Sequence, residues 1–324
     1  MPFVNTLRGS TSVSFKRKGG PKVPGAPTIG TASYTSSTTA SVPFTAPSSD
    51  GGSVIISYTA TSSPGGITGT LTQAGSGTIT ISGLTTGTAY TFTVTATNAI
   101  GTGSPSAASN SVTPVLQIGD AYQGGFYAGQ ISTSGNGVAT HNLVVASKSG
   151  GVYSNAWILP PATGPNDPGS ESMINGPQNT ADIRAIDGYD PPRYPCHHFC
   201  DTLTLGGYSD WYMPAFNEME LCYYNLKPST TPNSIYYGGN ANAVPARSGF
   251  YTAGDPPQTS ATIFRTGNAQ AFGVNNSYYS STEGPPGEPN AVGGAKSMLF
   301  SYGAHQLQSK WAGLIVQAVR RVAV

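Results

Sequence analysis

Between Pro27 and Pro114 the sequence alternates apolar and polar residues in short runs, and this pattern constrains the fold more than any other feature. The runs, for example SVIISYTATSS and AYTFTVTATN, are rich in Thr, Val, Ile and Tyr, which strands favour. Turn clusters such as SSDGG, SPGG and TTGT separate them. About seven short strands within about 90 residues predict an all-β sandwich.

Charge is scarce in this chain. Only 9% of its 324 residues are charged, against about 25% in ordinary soluble domains. The segment from Pro24 to Ser147 contains no lysine or arginine, and the net charge of +1 provides no global field that would attract nucleic acid. We therefore expect a β-rich extracellular or virion protein, with a surface of Ser, Thr, Asn, Gly and Tyr.

The N-terminal residues 1–24 differ from the rest of the chain because they are basic and contain no acid. Their basic residues are Arg8, Lys16, Arg17, Lys18 and Lys22. We interpret this arm as an assembly anchor on other proteins, and contact with nucleic acid is the less favoured alternative because only two aromatic residues accompany the charges. The arm lacks the apolar segment of a secretory signal, and no stretch approaches the roughly 18 apolar residues needed to cross a bilayer.

The segment ISGLTTGTAYTFTVTATNAIGTGSPSAAS resembles the E, F and G strands of a fibronectin type III domain. Leu84 and Tyr90 stand where that family has the leucine and tyrosine of its E–F corner, and PGAPTIG resembles its proline-rich first strand. The family's B-strand tryptophan is missing, and Phe44 is the nearest aromatic residue. The resemblance covers residues 25–114 and implies a spacer or docking module.

The stretch GGYSDWYMPAFNEMELCYYNL, residues 206–226, predicts a helix that begins after Pro214 and ends before Pro228. Its apolar positions have the i, i+3, i+4, i+7 spacing of one helix face. These positions are Met219, Cys222, Tyr223 and Leu226. Shorter helices are expected over residues 179–186 and within PCHHFCDTLTLGG, and the C-terminal WAGLIVQAVRRVAV is expected to form a strand pair or one long strand.

Five fragments in order resemble the C-terminal domain of the Legionella collagen-like protein. They are IGDAYQGGFYAG, NGPQNTADI, GGYSDWYMPAFNEMELCYYNL, YYSSTE and VQAVRRV, and they cover residues 117–324. The resemblance implies an α+β, C-type-lectin-like fold that binds glycans or other surface polymers, as in adhesins and phage fibres, without catalysis. It also implies a set of structural signature residues. These are Asp210, Trp211, Pro214, Glu218, Ser280 and Ser281.

Three positions depart from the pattern of this family. Ala215 stands where the family has a threonine at the helix N-cap, and the loss of that hydroxyl costs about 1 kcal/mol. We therefore expect packing to hold the local turn. Met213 and Tyr279 replace a leucine and a tryptophan, which are substitutions that core positions tolerate.

Two motifs suggest metal ligands, but we expect no metal and no cofactor. In CHHFC, Cys196, His197, His198 and Cys200 are of the types that bind zinc. No second Cys/His pair follows at zinc-finger spacing and only Cys222 is left, which favours buried thiols. In GEPN, Glu288, Pro289 and Asn290 match the calcium and sugar motif of mannose-type C-type lectins. The downstream Trp311 lacks the Asn-Asp that accompanies the tryptophan of those lectins.

The sequence offers no readable catalytic group, so we expect the protein not to be an enzyme. Glu218 and Glu220 are two residues apart on a helix and therefore point to different faces, which is unsuited to a paired acid and base. Asp210 precedes Trp211 in a strand-to-helix turn and is expected to accept backbone hydrogen bonds. The serines of YYSSTE lack a G-x-S-x-G context.

Tyrosine-rich loops are the predicted recognition surface. Many of the 18 tyrosines, Tyr278 and Tyr279 among them, stand among Gly, Asn, Ser and Pro, a composition typical of adaptable binding loops. The alternative is that half or more of these tyrosines pack in the core. The candidate ligand-binding residues are Tyr236, Tyr237, Asn240, Tyr251, Asn275, Asn276, Glu288 and Asn290.

The combined prediction is a multidomain protein with three parts. Residues 1–24 are the anchor arm, residues 25–114 the fibronectin type III spacer, and residues 115–324 the adhesin-like head. We expect a phage virion protein, namely a tail fibre, a baseplate protein or a capsid-attached fibre. It would form homo-oligomers, contact other virion proteins and bind a host surface glycan or polymer. A capsid decoration protein without a receptor is the first alternative, and a glycan-degrading enzyme is the second.

Overall fold

The computed structural model describes residues 20–159, 172–185, 191–235, 238–284 and 294–324. The chain divides into two compact units, Met1–Val115 and Leu116–Val324. In both units, most of the described residues that form regular secondary structure lie in β-strands. Within the described ranges, no helix is long and apolar enough to cross a membrane.

The N-terminal unit is a β-sandwich, as the alternating runs predict. Its strands are β1 (Thr28–Ile29), β2 (Ser33–Ser36), β3 (Thr39–Thr45), β4 (Ile55–Ser63), β5 (Thr68–Leu71), β6 (Gly77–Ser82), β7 (Thr91–Asn98) and β8 (Gly101–Thr102). One sheet has the order β1-β3-β2, with β6 also paired to β3, and the other has the order β5-β4-β7-β8. All of these pairings are antiparallel.

Every second residue of the long strands points between the two sheets and is buried. Val42 and Ile81 lie on one inner face, and Phe92 and Val94 lie on the other. The ring of Phe44 packs against that of Tyr58, with ring centres 4.2 Å apart. This aromatic pair fills the core of a sandwich that lacks the tryptophan of the resembled family.

In the described residues, the C-terminal unit combines two five-stranded sheets with three α-helices. Its strands are β9 (Ala121–Tyr122), β10 (Gly125–Ile131), β11 (His141–Val145), β12 (Val152–Asn155), β13 (Ala243–Val244), β14 (Ser277–Glu283), β15 (Gly294–Leu299), β16 (Ala304–Ser309), β17 (Leu314–Gln317) and β18 (Val319–Ala323). Its helices are α1 (Gly176–Arg184), α2 (Pro195–Thr202) and α3 (Phe216–Leu226). The sheet orders are β13-β10-β11-β18, with β9 on β10, and β12-β17-β14-β15-β16.

Helices lie in the three regions where they were expected, although α1 begins at Gly176 and ends at Arg184 and Ile186 lies outside the described residues. The prediction for the C-terminal segment needs a correction. Strands β17 and β18 neither pair with each other nor form one strand. Instead, β17 pairs with β12 and β14 in one sheet, whereas β18 pairs with β11 in the other. The buried Ala318 lies between them. Alternation along the chain indicates the strand type but carries no information about the partner strands.

Helix α3 is the element that positions the candidate site. Its apolar face packs against strands β10, β14 and β15, and the residues of that face are buried. They are Met219, Cys222, Tyr223 and Leu226. The opposite face carries Asn217, Glu220 and Tyr224, which are spaced three and four residues apart.

Candidate ligand-binding cleft

Helix α3 begins at Phe216 although the preceding Ala215 has no side chain that can cap it. The hydroxyl of Thr282 in β14 accepts a hydrogen bond from the backbone N–H of Phe216 at 3.0 Å. The Glu218 carboxylate accepts the N–H of Ala215 at 2.8 Å. The turn is buried, as the expectation of packing requires, but hydrogen bonds contribute as well, because a neighbouring strand supplies the hydroxyl that satisfies the helix end.

The carboxylate of Glu218 is fully buried beneath the start of α3. It accepts hydrogen bonds from the Tyr212 hydroxyl at 2.5 Å and from Nε of Arg321 at 2.8 Å. Burial raises the pKa of Glu218, and the Arg321 guanidinium acts in the opposite direction. Burial acts to lower the pKa of Arg321, but its contacts with Glu218 and Tyr212 together outweigh burial and raise it. Glu218 therefore joins the helix to the C-terminal strand β18.

The carboxylate of Glu220 is buried on the other side of α3. It accepts hydrogen bonds from the Tyr251 hydroxyl at 2.6 Å and from Nδ2 of Asn240 at 2.6 Å, and it forms an ion pair with Arg247. Burial raises the pKa of Glu220, and Arg247 opposes this shift. The guanidinium of Arg247 also lies 3.8 Å from the ring centre of Tyr224.

These contacts correct the assignment of Asn240 and Tyr251 as ligand-binding residues. Both side chains are almost fully buried, and both are bonded to Glu220. A side chain that binds a soluble ligand needs an exposed polar or aromatic face. Asn240 and Tyr251 instead form a wall behind the surface and fix the position of Arg247 through Glu220.

An open cleft of about 690 Å³ lies above this wall. It is bounded by the exposed face of α3, by the segment 239–248 and by the hairpin of β15 and β16. Its lining residues are Met173, Phe216, Asn217, Glu220, Gly239, Ala241, Asn242, Arg247, Ser248, Lys296, His305, Gln306 and Leu307. This volume lies within the range of about 300–1,000 Å³ that is typical of ligand pockets.

The polar groups of the cleft are held in place by their neighbours. Nδ2 of Asn217 donates to Oδ1 of Asn242 at 3.0 Å, and Nδ2 of Asn242 donates to the carbonyl of Ser132 at 2.8 Å. The side-chain carbonyl of Gln306 accepts a hydrogen bond from Gln308 at 2.7 Å. Carboxamide groups that are oriented in this way can bind hydroxyl groups without first being ordered.

The aromatic and titratable groups of the cleft are also defined. The ring of His305 packs edge-on against Phe216, with ring centres 4.9 Å apart. Burial lowers the pKa of His305 to about 4, with the nearby Lys296 acting in the same direction. The imidazole is therefore neutral at pH 7. Nζ of Lys296 lies 5.7 Å from the ring centre of Phe216.

Two of the remaining candidate ligand residues are described by the structure, and neither of them lines this cleft. Asn275 and Asn276 lie in the turn before β14. Tyr236, Tyr237, Glu288 and Asn290 lie outside the described residues. Tyr278 and Tyr279 are buried in β14, so their assignment to recognition loops is wrong. The error arises because the turn just before this strand is rich in Gly and Asn, which is the composition expected of a loop.

The signature residues make contacts that hold the fold together. Asp210 forms a bidentate ion pair with Arg320 at 2.7 and 2.8 Å, and the indole N–H of the buried Trp211 donates to a backbone carbonyl at 3.2 Å. Ser280 donates to the carbonyl of Lys296 at 2.8 Å. Ser281 accepts a hydrogen bond from an asparagine of α1, and its N–H binds the carbonyl of Pro214.

The CHHFC segment lies in helix α2 and is buried. Cys196 donates its thiol hydrogen to the carbonyl of Ala156, and burial raises its pKa to about 12. His197 packs edge-on against Trp157 with ring centres 4.6 Å apart. Within the described ranges, no three His, Cys, Asp or Glu residues are grouped so that they could hold a metal ion.

In the N-terminal unit, the hydroxyl of Tyr90 accepts a hydrogen bond from the N–H of Thr85 at 3.0 Å, and Leu84 is buried beside it. This contact is the tyrosine corner of fibronectin and immunoglobulin-like sandwiches. The family model "Fibronectin type III domain" matches residues 25–112. Residues 25–112 are a fibronectin type III domain. The first unit, Met1–Val115, contains this domain and the residues on either side of it, and the second unit is Leu116–Val324.

Solved structures similar to the chain include regions of titin and twitchin. "Titin kinase and its flanking domains" is 28% identical, with 28% of this chain and 17% of that chain covered and a TM-score of 0.25. Domains A168–A170 of titin are 28% identical, with 29% and 33% covered and a TM-score of 0.25. The twitchin kinase region from C. elegans is 22% identical, with 32% and 19% covered and a TM-score of 0.25.

The chain thus spans between 17% and 33% of the length of these three structures. No curated protein matches the sequence.

Proposed function

We propose that the C-terminal unit, Leu116–Val324, is a recognition module that binds a saccharide or another hydroxyl-rich surface polymer in the cleft beside α3. The observation that carries the proposal is the lining of this cleft. Carboxamide groups and an ammonium group face the same open volume of about 690 Å³, and the largely buried ring of Phe216 contributes to its lining. Such groups match the two kinds of surface on a sugar, its hydroxyl groups and its apolar ring face.

The state of the carboxylate in the cleft favours binding over hydrolysis. Glu220 is the one acid among the described residues that line the cleft, and its oxygens are engaged by Arg247, Asn240 and Tyr251. Glycoside hydrolysis generally needs two carboxyl groups about 5–9.5 Å apart across an open site. Glu218 cannot serve as the second, because it is buried against Tyr212 and Arg321.

The setting that we propose is a phage virion. In it, the fibronectin type III domain is a spacer, the C-terminal unit is a C-type-lectin-like head that contacts the host surface, and the arm is the anchor on other virion proteins. The scarcity of charge and the five fragments that resemble an adhesin domain support this setting. Arg8, Lys16, Arg17 and Lys18 lie outside the described residues. The backbone of Lys22 is hydrogen-bonded to Gly51 and therefore belongs to the edge of the sandwich.

Binding can be tested with the full chain on an array of bacterial surface glycans and on host envelopes. We expect binding that weakens at least tenfold in Asn217→Ala and in Gln306→Ala, whose side chains line the cleft. Asn275→Ala is the matched control because it removes a carboxamide outside the cleft. Equal binding by all of these variants would contradict the assignment of the site.

Two further results would favour the alternatives. If the full chain binds no host envelope or glycan but still joins particles, a capsid decoration protein without a receptor is the better interpretation. If incubation with a host polysaccharide shortens the polymer, the protein is a glycan-degrading enzyme. Size-exclusion analysis of the polysaccharide before and after incubation distinguishes cleavage from binding.

A further inference from the structure

One end of the fibronectin type III domain carries four exposed aliphatic side chains, which we call the Val54 patch. Its members are Val23, Val54, Ile56 and Ile100, with exposed fractions of 42%, 70%, 53% and 53%. Isolated apolar residues are common on protein surfaces, but a group of large aliphatic side chains at one place indicates a contact surface.

The side chain of Asn98 brings these four residues to the same end of the sandwich. Its Nδ2 donates to the carbonyls of Lys22 and Asp50 at 2.7 and 2.8 Å. Its Oδ1 accepts the N–H of Ile100 at 2.9 Å. A Cβ placed on Gly101 would lie 3.4 Å from Cγ1 of Val23. The chain entry, the loop before β4 and the turn after β7 therefore converge on one buried amide.

The exposure of Ile56 results from a local irregularity in strand β4. Ile55 pairs with Asn98 and is buried, but the register shifts between Ile55 and Ser57. Such a bulge places an additional residue on the outer side of the strand. An isoleucine at an exposed bulge gains nothing from the fold itself, which supports a role in contact with another segment.

Electrostatics at this end are also distinctive. Asp50 is the one charged residue between Pro24 and Val115 in the sequence. It is exposed, and it lies four residues before Val54 in the loop that binds Asn98. A segment that combines apolar side chains with positive charge would match both features of this surface.

We propose that, in the unassembled protein, the Val54 patch is the docking site for residues 1–19 of the same chain. The chain enters the sandwich at this end, because Lys22 is hydrogen-bonded to Gly51 and Val23 is part of the patch. In the sequence, Val13 and Phe15 directly precede the basic run 16–18. Phe15 is eight residues from Val23, which an extended chain spans with up to about 28 Å. The segment thus supplies apolar and basic groups within reach of the patch and of Asp50.

Limited trypsin digestion of the full chain tests this proposal, because residues 16–18 are trypsin sites and the next basic residue after Lys22 is Lys148. We expect cleavage at 16–18 to be at least tenfold faster in Ile56→Ser/Ile100→Ser, which removes apolar surface without adding charge, than in the unchanged chain. Tyr34→Ser is the matched control. Tyr34 is also an exposed apolar residue, but it lies in β2 of the other sheet. We expect its cleavage rate to equal that of the unchanged chain.

Two measurements keep the result interpretable. Hydrogen exchange of the β7 amides must be the same in all three proteins, because equal exchange shows that the sandwich is intact. We expect equal exchange, since the substituted positions are exposed. The protection must also persist on hundredfold dilution. Equal cleavage rates in all three proteins, or protection that disappears on dilution, would overturn docking within one chain.

Discussion

The two units of this protein use charge in opposite ways. The fibronectin type III domain has one charged residue between Pro24 and Val115, and its core is built from alternating apolar side chains. The C-terminal unit contains ion pairs whose acid is buried. These are Glu218–Arg321, Glu220–Arg247 and Glu283–Lys310. The first unit therefore depends on the hydrophobic effect, which is insensitive to pH, whereas the second also depends on pairs of charges that must remain together.

The largest difference between the units is expected when one partner of a buried pair is removed. Glu218→Ala leaves the Arg321 guanidinium without its carboxylate and leaves the N–H of Ala215 and the Tyr212 hydroxyl without an acceptor. Loss of one partner in such a pair costs about 3–5 kcal/mol. We expect hydrogen exchange of the α3 amides to accelerate accordingly, while the β7 amides of the fibronectin type III domain do not change.

Asp210→Asn is the control for this substitution. Asp210 also pairs with an arginine, but 56% of the Asp210 side chain is exposed although Arg320 itself is buried. Because water reaches this carboxylate and asparagine keeps one oxygen that can accept from the guanidinium, we expect a smaller loss than the roughly 3–5 kcal/mol for a fully buried pair. If the two substitutions have equal effects, burial of the carboxylate is not what distinguishes the C-terminal unit.

A smaller difference is expected in the response to acid. Burial lowers the pKa of His197 from 6.5 to about 3, with Lys310 acting in the same direction. Below pH 6.5 the unfolded chain binds a proton on this imidazole and the folded chain does not. The free energy of unfolding therefore falls as the pH is lowered from 6.5 toward 3, by up to about 1.4 kcal/mol per pH unit. The fibronectin type III domain contains no histidine.

His197→Phe isolates this contribution, since it keeps an aromatic ring against Trp157 and removes the titrating group. The comparison is needed because burial raises the pKa of Glu218 and Glu220, which stabilises the folded state as they become protonated. Between pH 6.5 and 5, the unfolding free energy of the C-terminal unit should fall by about 2 kcal/mol more in the unchanged chain than in the variant. Identical pH profiles would show that His197 does not couple stability to pH.

The same contrast explains what could be predicted from the sequence. The sandwich and helix α3 result from local patterns: alternation over residues 27–114, and one apolar face between Pro214 and Pro228. The cleft does not, because Asn217 meets residues such as Lys296 and His305 only after β15 and β16 fold beside α3. Nothing in the local sequence distinguishes a lysine in a cleft from one on an open surface.

The errors have the same origin. Composition alone predicts loop positions for Tyr278 and Tyr279, yet the pairing of β14 with β15 places them in the core. The hydroxyl that caps α3 comes from Thr282, 66 residues from its partner Phe216. Contacts of this kind are set by which strands pair, and local residue patterns do not contain that information.

The smallest expected effect concerns a neutral hydrogen bond in the unit without buried charges. Tyr90→Phe removes the hydroxyl that accepts the N–H of Thr85 and keeps the buried ring. The loss of a neutral hydrogen bond costs about 1 kcal/mol, so the β7 amides should exchange roughly fivefold faster and those of α3 should not change. Tyr34→Phe is the control, since its side chain is exposed. If Tyr90→Phe has an effect as large as that of Glu218→Ala, uncharged polar contacts stabilise the sandwich as strongly as buried ion pairs stabilise the C-terminal unit. The contrast between the two units would then not rest on charge.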